Sequence, residues 1–275
     1  MNSMQIPAHV EQIIHTLNSH GYEAFAVGGC VRDTLLGRKP GDWDITTSAR
    51  PEQVKALFRR TIDTGIQHGT VTIMMDRTGY EVTTYRIDGE YEDGRHPKQV
   101  EFTSDLLEDL RRRDFTINAM AWRPDRGLVD PFGGKADIEL GVIRAVGDPH
   151  QRFAEDALRI LRACRFSAEL GYAVEPCTYQ GILENKGLLS KISAERVTHE
   201  LQKLVLGPHA GDALLACVDA LSAVLPELVA MKGFDQQTPY HIFDVLEHTA
   251  RVVDGVPPYP LVRWAALFHD MGKPA

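Results

Sequence analysis

A mixed α/β (α+β) domain followed by an all-helical region is the fold that this 275-residue sequence predicts. Three observations predict it. Short apolar runs ending in glycine pairs or hairpin turns alternate with helical patterns over roughly the first 140 residues. From Gly141 onward, six segments in succession carry helical patterns. The length itself suits about two domains.

Taken in order, residues 8–20 read as an opening helix with Val10, Ile13, Ile14 and Leu17 on one face. Residues 24–27 are an apolar run ending in Gly28-Gly29, a strand entering a turn. A helix over 31–36 follows and stops at Gly37. Residues 43–46 read as a second strand, and Pro51 opens a helix to about Phe58, since proline suits a first turn. Residues 71–75 and 80–86 pair as strands across Arg77-Thr78-Gly79, and 117–122 is a further apolar stretch. Helices are then expected over 150–168, 176–186, 193–206, 209–222, 241–253 and 260–271. Gly171, Gly187, Gly207-Pro208 and Pro257-Pro258 punctuate them. No repeat or low-complexity segment appears. The domain boundaries expected are 1–140, 141–207 and 208–275. The sequence stops at Lys273-Pro274-Ala275 directly after an apolar helix pattern, which reads as a cut inside a domain.

Hydrophobic residues make up 43% and charged residues 25%, ordinary values for a soluble globular protein. No apolar run reaches the roughly 18–20 residues of a membrane helix. The start lacks a basic-then-apolar signal pattern, so export is disfavoured. Cys30, Cys164, Cys177 and Cys217 lie far apart without a CxxC pair, which favours reduced thiols and a cytoplasmic location. The net charge of −8 argues against indiscriminate nucleic-acid binding. Arginines nevertheless cluster at 111–113 and at 152, 159, 162 and 165, where one cleft lined by them could still hold a polyanion.

The stretch Gly28-Gly29-Cys30-Val31-Arg32-Asp33 with Asp42-Trp43-Asp44 carries the chemistry. A strand–Gly-Gly–helix junction offers backbone N–H groups to phosphate, and Arg32 adds a planar donor. Asp42 and Asp44, two apart on a strand, project from one face and suit Mg²⁺. Glu81, on another strand candidate, is a third carboxylate for two-metal phosphoryl transfer if the strands are neighbours. Read alone, it is equally an exposed strand glutamate. A lone DxD is more often turn chemistry; the preceding glycines and Arg32 reverse that preference.

The run GGCVRDTLLGRKPGDWDITT resembles the signature of class II tRNA nucleotidyltransferases, the CCA-adding enzymes, and of the bacterial poly(A) polymerases. Arg112-Arg113-Asp114-Phe115-Thr116-Ile117-Asn118-Ala119 is similar to the family's RRDFTINA motif, and Glu155-Asp156-Ala157-Leu158-Arg159-Ile160-Leu161-Arg162 to its EDxxRxxR motif. The match spans residues 22–205 in the right order. The resemblance implies a polymerase-β-type nucleotidyltransferase head, a helical neck for base recognition, and a body beyond. It implies addition of C, C and A from CTP and ATP to the 3′ end of tRNA, with Mg²⁺ and without an obligate protein partner or a membrane. Catalysis falls to Asp42, Asp44 and Glu81, metal binding to Asp42 and Asp44. Nucleotide binding falls to Gly29, Arg32, Arg113, Asp156, Arg159, Arg162 and Arg165. Poly(A) synthesis, or addition of CC or A alone, is the alternative within the family.

On a helix Asp156, Arg159 and Arg162 share roughly one face, and an Asp–Arg pair can read the amino edge common to cytosine and adenine. The bland reading is an amphipathic helix with solvated arginines. Arg165 lies further along, suited to phosphate or to holding the template. By resemblance, Arg113 contacts nucleotide, Asp114 orients neighbouring basic groups and Asn118 supports the sugar or the loop; Arg111 reads as surface charge. Residues 88–99 resemble the family's loop used in moving from C to A addition. Glu247-His248-Thr249 with His269-Asp270 is similar to the opening half of an HD phosphohydrolase domain. Its remaining ligands are expected beyond residue 275, leaving an inactive site. A more distant alternative is an HD phosphohydrolase with an RNA-binding N-terminal half.

Overall fold

The computed structural model describes residues 4–88, 100–235 and 242–274. The chain divides into two compact units. The first covers the described residues up to Leu140 together with Arg144–Gly147; the second covers Gly141–Ile143 and the described residues from Asp148 on. The loop singled out at 88–99 lies, from residue 89, outside the described residues. No helix among the described residues is long and apolar enough to cross a membrane.

The first unit opens with α1 (Ala8–Ser19), whose buried face is Val10, Ile13, Ile14 and Leu17. Strand β1 (Ala24–Val27) is buried throughout and runs into α2 (Gly29–Leu35). β2 (Ile45–Thr47) starts two residues later than the expected strand and ends one later. α3 (Pro51–Leu57) starts on the proline, with Gln53 accepting from the Arg50 N–H at 2.8 Å. Then come β3 (Thr61–Gly65), β4 (Thr70–Met75) and β5 (Thr78–Thr84), followed by the small pair β6 (Arg86–Asp88) and β7 (Val100–Phe102). The turn between β4 and β5 is Asp76-Arg77, one residue earlier than the expected hairpin, and both residues have positive φ.

Two helices of this unit escape the periodicity reading: α4 (Leu106–Arg111), capped by Asp105, and α5 (Gly134–Leu140), whose first amides are met by Asp130. The stretch 117–122 is a strand only at its end, β8 (Ala121–Arg123), which pairs with β9 (Gly127–Val129). Residues Thr116–Asn118 form a 3₁₀ turn instead.

The main sheet has the order β3-β4-β5-β2-β1-β8-β9, antiparallel except for β2 beside β5. Alternation along the strands splits it into two faces. Ala24, Ala26, Ile45, Val71, Ile73 and Val82 join α1 in one core. Phe25 and Val27 on the other face pack with Tyr85 and with Leu106 and Leu110 of α4.

The second unit is built of helices around α7. β10 (Val142–Ile143) pairs with β11 (Ala173–Val174), and between them lie α6 (Pro149–Glu155) and α7 (Leu158–Leu170). The expected helix over 150–168 is therefore two helices. α8 (Pro176–Asn185) begins with Pro176 after a Glu175 cap; α9 (Ala194–Leu206) packs along α7. The expected 209–222 helix is also divided, into α10 (Ala210–Ala216) and α11 (Val218–Leu221). α12 (Glu227–Met231), α13 (Val245–Gly255) and α14 (Pro260–Phe268) follow. α7 ends where Gly171 takes a left-handed φ of 73°, the usual glycine stop. All four cysteines are free.

Candidate functional site

The strand-to-helix junction is shaped by Gly28, whose φ of 80° and ψ of −134° suit glycine. A Cβ there would stand 3.1 Å from Nη1 of Arg113, so the glycine also lets that guanidinium lie against the backbone. Arg32, one turn into α2, is buried. Its Nε and Nη2 donate to Asp33 at 2.9 and 2.8 Å, and its Nη1 donates to Asn118 Oδ1 at 2.7 Å. Asn118 in turn donates to Asp114 Oδ1, which also accepts the Phe115 N–H. The glycine motif and the Arg-Arg-Asp motif, some 80 residues apart, are thus joined by side chains, with Asn118 positioning Arg32.

The sequence reading missed Asp109. It is fully buried in α4, where Arg112 forks onto Oδ1 at 2.8 and 3.0 Å. Arg113 reaches its Oδ2 at 3.4 Å and Thr46 of β2 donates to the same oxygen at 2.9 Å. Burial alone would raise this carboxyl; the Arg112 and Arg113 guanidiniums outweigh it and hold it below the usual carboxylate range. The spacing Asp109, Arg112, Arg113 at i, i+3, i+4 was the available signal.

Asp42 and Asp44 lie on the extended segment just before β2. The Asp44 carbonyl accepts the Val27 N–H at 3.0 Å, so the β1–β2 ladder continues through it. The parallel register Ile45↔Val82 places Asp44 beside Glu81, and aligned neighbours in a sheet share a face. Asp42, two residues earlier, belongs to that face as well. Next along that face, Thr46 donates to Asp109 of α4. The Asp44 residue is exposed. Its carboxyl is nevertheless pushed up to about 6, first by desolvation among protein atoms and then by Asp42 and Glu81, against the lowering pull of Arg113. A carboxylate raised by its neighbours in this way is relieved by a cation, and an all-oxygen donor set suits a hard divalent ion. Among the described residues, the three do not close to within 4.8 Å as a ligand set; the one group that does lies in the second unit.

In the second unit the structure corrects the helical reading of Asp156. It sits at the break between α6 and α7, with φ −142° and ψ 102°, and is not on one helix face with Arg159 and Arg162. Its Oδ1 accepts the Leu158 N–H at 3.0 Å, and its Oδ2 faces Arg196 of α9 at 3.3 Å. The apolar pattern runs unbroken from Phe153 to Ile160, so periodicity hides the break. Arg159 donates to Glu155 at 2.9 Å and to the Arg152 carbonyl at 3.2 Å. Arg162 stands over the Phe166 ring at 5.4 Å and is half-buried. Arg165, expected to hold phosphate or template, is buried, stacked on Phe166 at 4.2 Å and paired with Glu200 of α9 at 3.3 Å. It ties α7 to α9.

The close metal-ligand group is His248 of α13 with His269 and Asp270 after α14. The two Nε2 atoms are 3.3 Å apart, and Asp270 Oδ2 lies 3.4 Å from His248 and 3.3 Å from His269. His269 Nδ1 donates to the Ala266 carbonyl at 2.6 Å, which leaves its Nε2 lone pair for a ligand. Burial raises Asp270, but Lys273, His269 and His248 prevail and hold it below the ordinary range.

Comparison with known proteins agrees with this geometry. Residues 24–144 match the family described as "Poly A polymerase head domain", and residues 171–232 match "Probable RNA and SrmB- binding site of polymerase A". The CCA-adding enzyme of Geobacillus thermodenitrificans is 53% identical over 222 residues, 80% of this chain and 55% of that protein. That of Bacillus pumilus is 44% identical over 267 residues, 96% of this chain and 63% of the relative. The crystal structure of the Bacillus stearothermophilus CCA-adding enzyme in complex with CTP aligns with a TM-score of 0.77 and 42% identity. The alignment covers 98% of this chain and 64% of that one. The chain spans between 55% and 64% of the length of these relatives. With its head motifs joined in one fold of polymerase-β type, the chain belongs to the family of the bacterial CCA-adding enzymes and poly(A) polymerases.

Proposed function

We propose that the chain transfers CMP and AMP from CTP and ATP to the 3′ end of tRNA, releasing pyrophosphate, as a cytoplasmic CCA-adding enzyme. The observation that carries this reading is the single sheet face holding Asp42, Asp44 and Glu81 beside the Gly28–Arg32 junction. In the reaction the terminal 3′-oxygen bonds to the α-phosphorus, the bond to the β-phosphate oxygen breaks, and the hydroxyl proton leaves to solvent. Asp42 and Asp44, with Glu81 beside them, would hold Mg²⁺, and the bound ion would supply charge neutralisation at the reacting phosphate and acidify the attacking hydroxyl. Arg32 and Arg113 lie on the α2 side of the carboxylates, where a triphosphate's charge is met. Gly28 and Gly29 keep the backbone clear for it. Asp156 and Arg159 read the amino edge of cytosine and adenine, and Arg162 flanks them.

Radiolabelled CTP and ATP offered to tRNA transcripts ending at the discriminator base, or at CC, test the proposal. A CCA end should form with Mg²⁺. Only A on the CC substrate, or a long A tail, would reassign the chain within its family. No incorporation by the intact chain would overturn the reading.

A further inference from the structure

Three arginines gather on the far side of the carboxylates from Arg32. Arg59, Arg60 and Arg77 line a cavity of about 610 Å³ with Met74 and Asp76. Backbone register places it on the carboxylate face. Thr72 of β4 lies opposite Glu81, Met74 is two residues further on, and the Met74 N–H bonds to the Arg60 carbonyl at 2.9 Å. Glu81, Thr72, Met74 and Arg60 therefore share one side of the sheet. At about 3.3 Å per residue and 4.8 Å per strand, Met74 is only roughly 8 Å from Glu81.

These arginines are not used by the fold. Among the described residues none of the three makes a side-chain hydrogen bond or ion pair, although all are exposed. The one acid in the cavity, Asp76, is held instead by His9 of α1 at 3.1 Å. Three arginines against one carboxylate give the cavity a net positive charge in a chain of net charge −8. Asp76 and Arg77 further hold φ of 43° and 69° in a turn that would suit Asn-Gly. An excess of positive charge around one cavity suits an anionic ligand.

The position selects among anions. A transfer between a triphosphate and an RNA 3′ end brings two anionic substrates to opposite sides of the metal-binding carboxylates. Arg32 and Arg113 occupy the β1 side; this cavity lies on the β3–β4–β5 side. We propose that Arg59, Arg60 and Arg77 form a phosphate-binding subsite for the backbone of the single-stranded 3′ end of the RNA acceptor. The proposal rests on reading the carboxylate face as the transfer site.

Fluorescence anisotropy with an RNA hairpin bearing a single-stranded 3′ tail, without nucleotide, tests it in the intact chain. Changing Arg59, Arg60 and Arg77 together to alanine should weaken binding about tenfold and flatten the slope of log Kd against log salt by about 2, as expected for three single-strand contacts. The same hairpin without a tail should bind both proteins alike, and KM for CTP should not change. Arg77→Asn, which tolerates the positive φ, should keep the fold and give a smaller loss of the same kind. Arg251→Ala controls for a lost surface charge. Unchanged tail affinity and slope would overturn the proposal, as would an equal loss on the blunt hairpin. A raised KM for CTP with unchanged RNA affinity would make the cavity a nucleotide subsite and overturn it too. Incorporation that survives Asp42→Ala would instead sink the transfer-site reading, while the affinity result would still stand as measured.

Discussion

Desolvation and the carboxylates of Asp42 and Glu81 raise Asp44 to about 6, whereas an aspartate in an unfolded chain titrates near 3.9. The folded value being the higher one, ionised Asp44 opposes folding of the metal-free protein. That penalty is absent below about pH 4, grows as pH rises through about 6, and is fully present above it. Asp44→Asn should therefore raise the Tm of the metal-free protein at neutral pH, with the gain vanishing by about pH 4. The same substitution, like Asp42→Ala, should lower nucleotide incorporation roughly a thousandfold, since a metal clamp supplies several kcal/mol. Calorimetry across pH and a single-turnover assay check the two halves; a destabilised Asp44→Asn would contradict the first. Asp109 has the opposite sign. Its lowered carboxyl stabilises the fold above the ordinary carboxylate range, and this is lost as pH falls through the lowered value. Asp109→Asn leaves Arg112 and Arg113 beside an uncharged group and should cost about 3–5 kcal/mol at neutral pH, read from urea unfolding.

Under the proposed function, the break between α6 and α7 is the element that would set base choice. Asp156 is pinned there by the Leu158 amide and Arg196, while Arg159 enters α7 held by Glu155. A carboxylate at a helix break, with both oxygens engaged by named partners, is oriented independently of helix rotation. Asp156→Ala or Arg159→Ala should accordingly relax discrimination against UTP and GTP by about tenfold, the worth of one recognition hydrogen bond, while CTP binding through its phosphates changes less. Misincorporation assays with each nucleotide measure it; unchanged selectivity in both variants would make the break structural. Strong periodicity made α1 legible in sequence, and Pro51 and Pro176 marked the starts of α3 and α8. The break at Asp156 was not legible, because Phe153, Ala157 and Ile160 keep the helical period across it. Short α4 and α5 were hidden for a different reason: capping by Asp105 and Asp130 defines them more than any apolar stripe does. The carboxylates were found by motif, but Glu81's place beside Asp44 depends on β2 running parallel to β5, a long-range pairing that no local pattern encodes.

Across the whole molecule, the two units carry donor sets of different chemistry. The first offers carboxylate oxygens alone at Asp42, Asp44 and Glu81, a donor chemistry that suits a hard divalent cation. The second offers two imidazoles and one carboxylate at His248, His269 and Asp270, which suits nickel, cobalt or zinc better than magnesium. Lys273 Nζ sits 2.7 Å from Asp270 Oδ2 and must yield that oxygen to an incoming cation. Among the described residues the group comprises these three ligands, and Lys273 competes with a cation for one of them. The two sets should then separate cleanly by variant and by metal. His269→Ala should abolish cobalt binding, seen in its visible spectrum, and leave Mg²⁺-dependent nucleotide incorporation within about twofold, because neither His269 nor its partners belong to the first unit. Asp42→Ala should do the reverse. Hydrolysis of 2′,3′-cyclic nucleotides with Ni²⁺, Mn²⁺ or Mg²⁺ should stay at background, since a hydrolytic site needs a firmly held metal and a pocket for the phosphate. Robust turnover that disappears in His269→Ala would contradict this and make the histidine set a second active centre.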